Sequence, residues 1–273
     1  MAYLDEEAEG GPPNPISKIG AVLFFMAVGF GLKLAATGNI FGARDEWTAA
    51  RVDAELQAHP QSGELYRAIK TAYPGEYQAF LRPMTEAAKG GDRRAIIAAA
   101  ERFSRQLMTT HFDGFTRAPT GRLVEIARQY ALLSRTLQRA DIGLCAQLYS
   151  TGPAPGAQPP AETALLFSHI GALQVLAARA GETRPGAAAR AELTEPEQAA
   201  LMDRIGRHSR EAAHLLADRS AMLAATPAQQ CAAGMAMDQA IAALPPEDAA
   251  KALVSSMRQT FGSAPVAGAP PAQ

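Results

Sequence analysis

Downstream of Gly42, the apolar residues recur at three- and four-residue intervals, the spacing of one helix face. No run alternates as a half-buried strand would, so the pattern predicts an all-α body. A first helix begins near Asp45, with Trp47 in its first turn, and ends before His59-Pro60. A second, over about 62–73, carries Leu65, Ile69 and Tyr73. Pro74 either stops that helix or opens a third holding Tyr77, Phe80, Leu81 and Met84, because proline lacks an N–H and clashes with the preceding turn. Asp92 is the expected N-cap of a helix from Arg93 to Thr109.

The longest periodic stretch starts near Thr120. Leu123, Ile126, Tyr130, Leu133, Leu137, Leu144 and Leu148 fall on one stripe, with Cys145 at its edge, and a Pro/Gly-rich loop at 151–160 ends it. Leu165, His169, Leu173 and Leu176 mark the next helix, and 181–193 reads as irregular. Thr194 with Glu197, and Thr226 with Gln229, form two capping boxes: threonine at the N-cap, proline in the first turn, Glu or Gln at N3. They predict helices over about 195–224 and 227–244. Pro245-Pro246 ends the second, and Ala249 to Phe261 forms the last.

One segment departs from the amphipathic pattern. Ile19 to Leu32 is apolar all round, and extension from Ile16 to Phe41 reaches the ~20 residues needed to span a bilayer. Lys33 then has to extend its ammonium toward an interface. Gly29 and Gly31 do not form a GxxxG dimer motif. The preceding residues carry Asp5, Glu6, Glu7 and Glu9 against Lys18, the reverse of a basic signal-peptide start. The expectation is therefore an uncleaved single-pass anchor in a lipid bilayer. Residues 1–15 read as a disordered acidic Pro/Gly tail, 16–41 as the transmembrane helix, 42–261 as a soluble multi-helix bundle or irregular α-array, and 262–273 as a disordered tail. A subdomain division near 118–120 is the alternative to one domain.

Composition adds three constraints. With 48% hydrophobic and 19% charged residues, the chain has enough apolar material for a sizeable core. Its net charge of -1 argues against a generic nucleic-acid binder. Arginine outnumbers lysine 21 to 5, which a GC-rich bacterial genome explains without a function. The two cysteines, Cys145 and Cys231, form no CxxC and no zinc set, which needs about four ligands. A disulfide, implying an oxidising compartment, and two buried free thiols both remain open. Lys18 against Arg44 and Arg51 leans toward a cytoplasmic body by the positive-inside rule. The cysteine pair leans toward the periplasm, which is the favoured placement.

Candidate chemistry is sparse. Glu211 and His214 make one Glu-x-x-His unit where a helical carboxylate site needs two, so no metal, cofactor or catalytic residue is assigned. No GxSxG, SxxK, HExxH, Walker A or dinucleotide fingerprint is present, and a non-enzyme is expected. His169 and His208 fall on apolar stripes, where the ordinary reading is a satisfied core histidine and the sharper one a ligand or pH-sensitive group. His59 and His111 join no triad pattern. Nine arginines between 93 and 139 face three acidic residues, +6 in a near-neutral chain. Of these, Arg93, Arg94, Arg102, Arg105, Arg128, Arg135 and Arg139 read either as solvated helix faces or as a surface for anionic headgroups, an acidic partner or nucleic acid. Tyr66, Tyr73, Tyr77 and Phe80 read as core or as an exposed groove for a partner helix.

The resulting expectation is a bacterial inner-membrane protein with a periplasmic interaction or scaffold domain, an envelope protein as partner and no cofactor. Two alternatives stand beside it. One is a cytoplasm-facing adaptor using the arginine helices on an acidic partner or nucleic acid. The other is a helical ligand-binding protein or enzyme with a pocket near His169 or His208.

Overall fold

The computed structural model describes residues 47–152, 159–184 and 186–261. The expected membrane segment 16–41, both tails and most of the 151–160 loop lie outside the described residues. Those described form twelve helices and no strand: α1 Ala49–Ala58, α2 Gly63–Ala72, α3 Pro74–Gly90, α4 Arg93–Thr116, α5 Thr120–Ala140, α6 Ile142–Tyr149, α7 Ala161–Glu182, α8 Glu195–His208, α9 Arg210–Ala217, α10 Arg219–Ala224, α11 Pro227–Ala242 and α12 Pro246–Phe261.

Local capping chemistry sets the boundaries. Thr48 caps α1: its hydroxyl accepts from Arg51 N–H at 3.2 Å, and Trp47 is buried just outside the helix, while Asp45 lies outside the described residues. Pro74 starts α3, ending α2 at the same point. Asp92 caps α4 through the amides of Arg94 and Ala95, and that helix runs past Thr109 to Thr116. Both capping boxes are present. In the first, Glu197 accepts from Thr194 N–H at 2.7 Å and from Lys251 of α12 at 2.6 Å, so the cap also ties α8 to α12.

Two long expected helices are broken. The stripe from Thr120 to Leu148 divides at Asp141, whose amide donates to Leu137 C=O while its carboxylate accepts from Leu144 N–H at 2.8 Å. One residue thus closes α5 and opens α6. Residues 195–224 divide at Ser209 and Asp218 in the same way, giving α8, α9 and α10. Short polar side chains compete for backbone N–H groups, and an apolar period does not register that competition.

The core is a single cluster extending from Trp47 to Met257. Helix α7 lies at its centre, packed against α2, α4 and α5. It is the one described helix long and apolar enough to cross a membrane, yet most of it is buried within the bundle. It crosses α4 closely: a β-carbon on Gly181 would fall 1.8 Å from Gly114 O, so only glycine permits this approach of two backbones. Helix α11 packs against α5, α6, α8 and α9. The irregular 183–194 segment is fastened by Arg190, whose guanidinium donates to Ala118 O and to Thr120 Oγ1, each at 2.6 Å.

Candidate interaction site

Helices α3 and α4 leave a cleft of about 440 Å³ between them. Glu76, Ala79, Phe80 and Pro83 line it from α3 at i, i+3, i+4 and i+7, one face of that helix. Arg102, Phe103, Gln106, Leu107, Thr110 and His111 line it from α4. Phe80 and Phe103 stack across the floor, their centroids 4.2 Å apart. Pro83 has no N–H, so it cannot donate to Ala79 C=O at the cleft wall.

His111 sits at one end. Its Nδ1 is 2.5 Å from Glu182 Oε1 at the end of α7, and its ring stacks on Tyr73 at 3.8 Å. Nε2 is buried and has no hydrogen bond; Glu76 Oε1 lies 3.3 Å away. Arg179 pairs with the other oxygen of Glu182 at 3.3 Å. A carboxylate thus orients one nitrogen of the ring, while the other is buried at the end of the cleft beside a second carboxylate, Glu76, an acidic setting that disfavours an anion. No described hydroxyl or thiol is placed against Nε2 as a nucleophile.

A second polar centre is wholly enclosed. Cys145 of α6 and Cys231 of α11 are joined by a disulfide, their Cα atoms 5.2 Å apart and neither residue exposed. Tyr149, one turn beyond Cys145, donates to Asp238 Oδ2 at 2.5 Å. Burial pushes the Asp238 carboxyl up to about 7, against the hydrogen bonds of Tyr149 and Ser134, which pull it down. Nearby, Gln174 of α7 donates to Tyr130 Oη at 2.8 Å. The group faces no opening among the described residues and clasps α6 to α11.

The residues singled out from sequence distribute unevenly. Tyr66, Tyr73, Tyr77 and Phe80 are 0–3% exposed and belong to the core; Phe80 alone among them lines the cleft. His208 is exposed, because α8 ends on it. His169 is half-buried and pairs with Glu64 of α2 at 2.8 Å. Neither histidine lines the α3–α4 cleft. Arg94, Arg102, Arg105, Arg128, Arg135 and Arg139 are all exposed; nothing is described of the Arg93 side chain. No set of three or more His, Cys, Asp or Glu residues is placed to hold a metal among the described residues.

No family model, curated protein or solved structure matches this chain.

Proposed function

We propose that the chain is a non-enzymatic bacterial inner-membrane protein whose segment 16–41 anchors a helical interaction domain held in the periplasm. The observation that carries this reading is the buried Cys145–Cys231 bond. Disulfides persist in oxidising compartments and are reduced in the cytoplasm, so the same bond disfavours a cytoplasm-facing adaptor. The apolar run from Ile19 to Leu32 supports the anchor, and the α3–α4 cleft is the place we assign to an envelope protein partner.

Protease treatment of spheroplasts expressing the full chain tests the topology. Digestion of the body from outside, with protection in inverted vesicles, is expected; the opposite pattern overturns the reading. The Phe80–Phe103 pair and the unpartnered Nε2 of His111 support a second reading, a small neutral ligand in the same cleft, since Glu76 and Glu182 beside the ring would repel an anion. That reading requires His111→Gln to abolish ligand binding in a chain that remains folded.

A further inference from the structure

We infer that the solvent face of α5 docks the helical body onto an anionic phospholipid surface. Arg128, Arg135 and Arg139 are spaced i, i+7 and i+11, which at 100° per residue places them within about 40° of one another around the helix. The stripe is about 17 Å long at 1.5 Å per residue. All three side chains are exposed, and none makes a hydrogen bond or ion pair among the described residues. Leu132, 37% exposed, lies between the first two, and Ile142, 43% exposed, follows the third at the start of α6. These are two of the four large hydrophobic side chains left exposed among the described residues.

The opposite face of α5 fixes this orientation. Leu123, Ile126, Ala127, Tyr130, Leu133 and Leu137 are buried, so the helix cannot roll its arginines away from solvent. The carboxylates at either end are already engaged: Glu125 accepts from the Gln129 amide at 2.7 Å, and Asp141 caps α6. The result is a stripe of cations with Leu132 between the first two and Ile142 beyond the third. Such a stripe suits a bilayer interface, where guanidinium groups meet phosphates while Leu132 and Ile142 enter the acyl boundary. A nucleic-acid backbone would leave those aliphatic groups facing phosphates. The proposed anchor, on which this docking rests, keeps the bilayer within reach of the stripe.

The test uses the full chain with its disulfide intact and the substitution Leu132→Trp, incorporated into vesicles containing acyl-chain quencher lipid. The wild-type chain, whose one tryptophan is the buried Trp47, supplies the background. Docking predicts extra quenching in vesicles containing roughly one-third phosphatidylglycerol and little in pure phosphatidylcholine. Combining Arg128→Glu, Arg135→Glu and Arg139→Glu with Leu132→Trp should cut that extra quenching about tenfold or more, as should high salt. Equal quenching in both lipids, or none in either, overturns the docking. Retention of the wild-type chain but not the triple variant on an acidic polymer, without lipid-dependent quenching, overturns it in favour of an acidic macromolecule. Co-sedimentation of the same samples reports the anchor separately: failure to pellet with either vesicle contradicts the anchor, whereas pelleting without quenching contradicts only the docking.

Discussion

The ring of Tyr149 occupies the space that a side chain on Gly234 would fill: a β-carbon there would fall 2.0 Å from its Cγ. This contact brings α6 against α11 one turn beyond the disulfide, where the Tyr149 hydroxyl reaches Asp238. Gly234→Ala is therefore expected to force the helices apart, at about 1–3 kcal/mol. That corresponds to a fall in Tm of roughly 3–10 °C by calorimetry. An unchanged Tm would contradict the contact.

The buried carboxyl beside it gives a pH signature. In the unfolded chain Asp238 ionises near its ordinary value of about 4, whereas in the folded chain it holds its proton up to about 7. The folded state therefore binds more protons between those limits. Its contribution is full below pH ~4, declines as pH rises and levels off above ~7, a change on the order of a few kcal/mol. Asp238→Asn should flatten that slope in chemical denaturation measured from pH 4 to 8. A slope that persists in this variant would assign it to another group.

The disulfide closes a separation of 86 residues. Removing both thiols with Cys145→Ala and Cys231→Ala should cost on the order of 2–5 kcal/mol relative to the oxidised protein. Relative to the reduced protein it should cost little beyond the lost packing of two small side chains. An equal loss with and without reductant would mean that the cysteines act only as core residues.

His111 joins three helices through Glu182 and Tyr73. Substitution by leucine keeps most of the ring's volume but removes the Nδ1 partner of the half-buried Glu182, whose ion pair with Arg179 remains. A loss of about 1–3 kcal/mol is expected, measurable by urea titration. Glu182→Gln in the same background should recover part of it; no recovery would show that the pair contributes little.

Much of the fold was legible wherever the deciding interaction is local. The boxes at Thr194 and Thr226 involve partners three residues apart, and Pro74 acts within its own turn. Asp141, Ser209 and Asp218 are not legible in this way, because they lie within apolar periods that continue across them; their capping role depends on a backbone turn that periodicity does not encode. His208 lies on the apolar stripe, yet α8 stops there and leaves it in solvent. The two polar centres were hidden for a different reason. His111 acquires its role from Glu182, 71 residues away, and Asp238 from Tyr149, 89 residues away, so neither pairing has a spacing to read. The cysteines were visible as a candidate pair, but only the packing of α6 on α11 brings their Cα atoms to bridging distance.

The most direct measurement is the redox state of Cys145 and Cys231 in intact cells, by acid quenching, denaturation and alkylation with a mass-tagged reagent before and after reduction. The expected result is two thiols that react only after reduction, in protein that fractionates with the membrane. Thiols that react without reduction in freshly quenched cells would contradict an oxidised periplasmic body.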